Sequence, residues 1–205
     1  MPLTYLTRQE IEAALGRLSQ LAASEGVRLE MTLYGGALML LAYDARTVTK
    51  DVDAIVHPPE VARRLVAKVA VERGLHEGWL NDDVKQFVSP SERKNEFPLP
   101  NIDRAGLHIT RPTAKYLLAM KVMASRKPLP GYAGDMADIE TLLRVTKVRS
   151  VAEVQAIVDA FFSDTVLPDA VQLSLADLLD KIHAPENSTP PSVPAKDRPR
   201  RRSAR

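Results

Sequence analysis

The segment LYGGALMLLAYDARTVTKDVDAIV, residues 33 to 56, sets two adjacent glycines, Gly35 and Gly36, ahead of two aspartates, Asp51 and Asp53, that flank a single valine. Glycines between a strand and a helix let the backbone come close to a ligand, and the free amides of a helix's first turn offer partial positive charge to a phosphate. In a strand, residues two apart point to the same side, so Asp51 and Asp53 are expected to converge on one point. Two carboxylates so close repel unless a cation lies between them, and Mg²⁺, as one ion or two, is the usual solution because it prefers hard oxygen ligands. Glycines for the phosphates of an NTP and aspartates for its metal describe phosphoryl or nucleotidyl transfer. Either motif alone reads more simply, as a tight turn or an acidic strand edge; their order and proximity favour the chemistry. Other chemistries lack their residues. His57, His76, His108 and His183 have no ligand spacing for zinc, and no G-x-x-x-x-G-K loop occurs. The chain has no cysteine, which rules out disulfides and thiolate metal sites and agrees with a reducing, cytoplasmic compartment.

The elements around these residues follow from spacing. TRQEIEAALGRLSQLAASEG opens with a capping box, Thr7 and Glu10, carries Ile11, Leu15, Leu18 and Leu21 at helical spacing, and stops at Gly26. VRLEMTLYGG alternates Val27, Leu29, Met31 and Leu33 with polar residues, a half-buried strand that delivers the glycines; ALMLLAYD after them is helix-forming. DVDAIV reads as a second strand stopped by Pro58 and Pro59, and PEVARRLVAKVAVERG as a third helix with Gly74 beyond its end. Short strands are expected in VKQFV and GLHIT. From Pro112 onward the spacing is helical: PTAKYLLAMKVMASR, GDMADIETLLRVTK, SVAEVQAIVDAFF with a capping box at Ser150 and Glu153, and LPDAVQLSLADLLDKI. The expected fold class is α+β, a small mixed β-sheet with flanking helices and a C-terminal helical bundle. Residues 1–111 form the core, 112–183 the helical part of the same unit, and 184–205 a tail.

Length and composition fit one globular domain. The apolar run nearest the glycines, Ala37 to Ala42, is far short of the roughly 20 residues that cross a bilayer, and no signal segment opens the chain, so no membrane partner is expected. From Ala184 the tail carries six basic residues against two acidic ones, a net +4 that leaves −2 on the body of a chain with net charge +2. Its proline, serine and arginine content predicts disorder, with a role in gripping phosphate backbones or simply in solubility.

Gly35-Gly36 followed by Asp51-Val52-Asp53 resembles the signature of the nucleotidyltransferase superfamily with the DNA polymerase β-type fold. RTVTKDVD, with Arg46 and Thr49 leading into the aspartates, is similar to the version in the abortive-infection-type nucleotidyltransferase toxins of toxin–antitoxin systems. KYLLAMKVMASR followed by DMADIETLL resembles their later motif, a helix lysine, Lys121, and an acidic helix start, Asp135 and Asp138. The resemblance covers about Met31 to Leu143 and implies that Gly35 and Gly36 cradle the β- and γ-phosphates, Asp51 and Asp53 hold Mg²⁺, and Lys121 neutralises the triphosphate. Arg46 is then a phosphate contact or a solvated arginine, and Thr49 a phosphate ligand or a β-branched residue entering a strand. Asp138 is a metal-site orienter, a base for the incoming hydroxyl, or the partner that pins Lys121. The superfamily's third carboxylate has no obvious counterpart; Asp103, Asp82 and Asp83 are the candidates. The implied function is Mg²⁺-dependent transfer of NMP from an NTP to a hydroxyl of RNA, tRNA above all, restrained by an antitoxin partner. The alternatives are the same chemistry on a small molecule such as an antibiotic, and a non-catalytic binding module of the same fold.

Overall fold

The computed structural model describes residues 5–125 and 134–184; the calls on the tail beyond Ala184 lie outside the described residues. Strand β1 (Leu6–Thr7) leads straight into α1 (Arg8–Ser24). Thr7 Oγ1 accepts from the Glu10 amide at 3.3 Å and the Glu10 carboxylate accepts from the Thr7 amide at 2.8 Å, the reciprocal capping box that the sequence predicts. The helix buries Ile11, Leu15, Leu18 and Leu21 and ends ahead of Gly26, which adopts φ +67°. Strand β2 (Leu29–Leu33) and helix α2 (Gly35–Tyr43) follow. Helix α2 starts at the first glycine rather than after the second, and its middle, Ala37 to Leu41, is buried, as a helix apolar on every side requires.

Strand β3 (Val48–Thr49) pairs with β1 in a separate two-stranded ribbon. Then come β4 (Val52–His57), α3 (Pro59–Arg73), β5 (Leu80–Asn81), β6 (Lys94–Glu96) and β7 (Leu107–Pro112). The main sheet has the order β5-β4-β2-β7-β6, with β4 antiparallel and β7 parallel to the central β2. Its two faces follow the period of two. Leu29, Met31, Leu33, Val52, Ala54, Leu107 and Ile109 are buried in the core. The alternate residues, Glu30, Thr32, Asp53, Ile55, His57, His108 and Thr110, lie on the opposite face, where Thr32 Oγ1 and Thr110 Oγ1 approach to 3.0 Å. The sheet thus has an apolar side for the helices and a polar side that contains Asp53.

The sequence expectation of a strand at VKQFV is corrected: residues Asp83–Phe87 form a 3-10 helix. Asn81 Oδ1 accepts from the Asp83 amide at 3.0 Å and the Asp82 carbonyl accepts from the Lys85 amide at 2.9 Å. This side-chain turn ends β5 after two residues and leaves Phe87 exposed. Strands β1, β3, β5 and β6 had no signal because two or three residues carry no period.

The helical half consists of α4 (Ala114–Met123), α5 (Met136–Thr146), α6 (Val151–Phe161) and α7 (Asp169–His183). Thr113 caps α4. The predicted box at the start of α6 closes one residue out: Ser150 Oγ accepts from the Glu153 amide, while the Glu153 carboxylate accepts from the Arg149 amide at 3.1 Å. Tyr116 of α4 packs between Phe161 and Phe162, ring centroids 5.0 and 5.8 Å away, and its hydroxyl accepts from the Ser89 amide at 2.7 Å. That bond ties the bundle to the loop before β6, and one buried apolar cluster runs from Leu6 to Leu179 through both halves. Among the described residues no helix is long and apolar enough to cross a membrane.

Candidate functional site at the glycine turn

Tyr34 follows β2 and donates its amide to the Asp53 carbonyl at 2.9 Å, so the antiparallel β2–β4 pair brings the turn beside the aspartates. Gly35 adopts φ +60°, a left-handed conformation that costs other residues about 1–2 kcal/mol. A Cβ on Gly35 would lie 1.8 Å from Asp53 Oδ2, so the carboxylate occupies the space that any other residue would fill. At Gly36 the same construction meets Thr49 Oγ1 at 2.5 Å and Arg46 Nη1 at 3.4 Å. Gly35, Gly36, Arg46, Thr49 and Asp53, separated in sequence by a helix and a ribbon strand, therefore line one turn.

The cations of this turn are held by buried acids. Arg46 is bidentate to Asp138, Nε to Oδ1 at 2.8 Å and Nη2 to Oδ2 at 2.6 Å, and its Nη2 lies 3.9 Å from Asp135. Lys121 Nζ reaches Asp135 Oδ1 at 3.1 Å and Asp138 Oδ2 at 2.8 Å. Asp135 precedes α5 and Asp138 sits in its first turn, both almost wholly buried. Of the roles open to Asp138, the geometry matches the partner that pins Lys121, and it pins Arg46 as well. Arg46 is not the solvated side chain of the bland alternative. Lys121 lies late in α4, with its ammonium held on both acids.

Other expectations need correction. Asp51 is not in the strand: β4 begins at Val52, and Asp51 sits between the bend at Lys50 and the strand, half-buried like Asp53. Thr49 enters β3 as a β-branched strand residue, and its hydroxyl donates to the Asp51 carbonyl at 3.2 Å while facing Gly36. Asp103 is no third carboxylate. Leu29 pairs with Leu107, so Asp103 precedes β7 at the end of the sheet opposite the glycines, where its carboxylate accepts from the Ala105 amide. Asp82 and Asp83 leave the sheet into the 3-10 helix just after Asn81, the residue paired with Asp53; Asp82 lines a groove of about 330 Å³ along Ala54 to His57.

Sequence reasoning missed Tyr34. Its ring is fully buried and its hydroxyl donates to Glu92, which is itself held by Lys94 at 2.8 Å. Burial, reinforced by the Glu92 carboxylate, pushes the Tyr34 hydroxyl well above its ordinary pKa, so it stays a donor. The signal was an aromatic residue directly before the glycine pair of an aliphatic strand.

Among the described residues no three His, Asp or Glu side chains converge on one metal position. Asp51 and Asp53 supply two carboxylates, and Mg²⁺ is commonly held by one or two carboxylates with substrate phosphates completing its shell. With an acidic oxygen against the glycine cradle, the residues present fit an ion shared between protein and triphosphate. No family model, curated protein or solved structure matches the chain.

Proposed function

We propose that the protein is a Mg²⁺-dependent nucleotidyltransferase that transfers NMP from an NTP to a hydroxyl of RNA, tRNA being the acceptor class that the resemblance implies. The observation that carries this reading is the contact of Asp53 with Gly35: a carboxylate of the D-x-D segment lies where a Cβ would stand at the mouth of α2. A phosphate at the amides of Gly35 and Gly36 is thereby adjacent to the acidic group that would share a cation with it. Arg46 Nη1 flanks Gly36, and Lys121 is held on the same acids, so both cations are oriented before substrate arrives.

Mg²⁺, when bound, polarises the phosphoryl oxygens and offsets the charge of the departing pyrophosphate. Gly35 and Gly36 bind the β- and γ-phosphates with backbone donors. Asp51 and Asp53 hold the ion, and Arg46 and Lys121 neutralise the triphosphate. Asp138 and Asp135 fix where those cations point. The acceptor oxygen forms a bond to the α-phosphorus as the bond to pyrophosphate breaks, and the hydroxyl proton is released. The restraint of such an enzyme by an antitoxin belongs to the same proposal.

The test is incubation with each labelled NTP, Mg²⁺ and total RNA. Wild-type protein should label an RNA band, and Asp53→Asn should reduce labelling by at least a hundredfold while the protein remains folded. Equal labelling by the variant would remove the assignment; labelling of an aminoglycoside but no RNA would move the acceptor to a small molecule.

A further inference from the structure

Arg111 closes β7 on the apolar side of the sheet, in register with Asn95 of β6. Its guanidinium carbon lies 5.4 Å from the ring centre of Tyr43, the last residue of α2, and 5.0 Å from that of Phe97. Its Nε is the single buried side-chain nitrogen or oxygen, among the described residues, without a hydrogen-bond partner. No carboxylate compensates it among these residues, whereas Arg8, Arg46 and Arg104 each hold an acid. The ring faces offset part of the cost of desolvating the cation but satisfy none of its N–H groups. Both rings lie within cation–π range of the guanidinium. The side chain as a whole is only half-buried, and guanidinium N–H groups without a carboxylate match the oxygens of a phosphate.

A second cation stands beside it. The Thr113 amide donates to the Arg93 carbonyl at 2.9 Å and extends the β6–β7 ladder by one step, which puts Arg93 diagonally across from Arg111 on the same side. Arg93 is exposed. Diagonal neighbours in a ladder are about 7–8 Å apart, of the same order as successive phosphates along one nucleic-acid strand. Gly35 and Tyr43 are the two ends of α2, eight steps apart, about 12 Å at the helical rise, too far for one triphosphate to reach both.

We propose that Arg111, held against the rings of Tyr43 and Phe97 and joined by Arg93, anchors the sugar–phosphate backbone of the RNA acceptor. This rests on the transferase reading above and adds to it a place for the second substrate. Two cations on neighbouring ladder positions favour a polymer over a free anion, and aromatic rings beside arginines are the usual makings of a single-strand surface.

The experiment measures binding of an end-labelled single-stranded RNA oligonucleotide by anisotropy across a salt series, without NTP or Mg²⁺. Arg111→Met keeps the aliphatic stem against the rings and removes the charge. It should weaken RNA binding about tenfold and reduce the slope of log K against log salt by roughly 0.7. Arg93→Gln, at an exposed position, should act in the same direction by a few-fold. NTP affinity by calorimetry should not change in either variant. Undiminished RNA affinity in folded Arg111→Met would make the clamp a purely structural tie and overturn the proposal, as would NTP affinity falling in parallel, or inorganic phosphate competing with RNA as well as the polymer does. Should Arg111→Met not fold, unchanged RNA binding by Arg93→Gln overturns it equally. Because binding is read without turnover, absence of nucleotidyl transfer leaves the anchor standing, and loss of the anchor leaves the transfer reading standing.

Discussion

Two clusters of alternating charge hold this molecule together at different depths. Arg46, Lys121, Asp135 and Asp138 meet at the glycine turn, with side chains 25%, 12%, 4% and 1% exposed. Across the polar face of the sheet His108 bridges Glu30 and Glu96, whose side chains are 53% and 56% exposed. The first pairs two cations with two acids in a place with little water to replace a missing partner. The second has Arg28 on Glu30 and Arg104 on Glu96, with His57 opposite Glu30 in the ladder; its two acids are open to solvent, while the His108 side chain is 15% exposed. Like contacts therefore carry different consequences: a buried cluster is strongly destabilised when it loses a member, while an exposed one exchanges each lost contact for water.

The largest expected effect is from Asp138→Ala, which removes the bidentate partner of Arg46 and one of the two acids on Lys121. It should cost about 3–5 kcal/mol in urea unfolding, the range for stranding a buried charge. A loss below 1 kcal/mol would mean that the cluster is as well solvated as the clasp on the sheet. Gly35→Ala separates the geometry of the turn from its charges. The strained φ should cost about 1–2 kcal/mol, and the added Cβ must displace the Asp53 carboxylate. Transfer activity should therefore drop far more than stability, with Arg46 and Lys121 still in place; retained activity would detach Asp53 from the chemistry.

The smallest effect belongs to the clasp. The hydrogen bond to Glu30, aided by Glu96, raises the His108 pKa above its ordinary value against the opposing effect of burial. A raised folded-state value means that the stabilisation is complete below the unfolded value of about 6.5 and is lost as pH rises through the folded one. Wild type should exceed His108→Gln in melting temperature at acidic pH, by at most about 1 kcal/mol in equivalent stability, and the two should converge in mild alkali. High salt should shrink the gap. A difference that grows with pH would reverse the assigned sign.

The sequence reveals much of the frame. The helices α1, α3 and α4 to α7, the two long strands around the glycine turn, and β7 carry their period and their caps within a few residues, so local pattern suffices. The four short strands do not, and the expected strand at VKQFV yields to a turn set by one side chain, Asn81. The proximity of Gly35 to Asp53 is readable because a strand, a helix and an antiparallel return leave few alternatives. Arg46 against Asp138 is not readable from spacing, since that contact depends on how α5 docks on α4. Arg111 gave no signal at all: in sequence it is one more arginine in a strand, and only the fold brings Tyr43 and Phe97 to it.

The bond between Arg46 and Asp138 spans 92 positions of chain. On a ribosome adding about 5–20 residues per second, Arg46 is made roughly 5 to 18 seconds before its acid exists. During that interval the glycine turn and β4 can pair, but the guanidinium still lacks its bidentate acid on α5. The phosphate cradle thus forms early and its cations are locked late. A chain interrupted before α5 would carry the opening motif without the device that orients it.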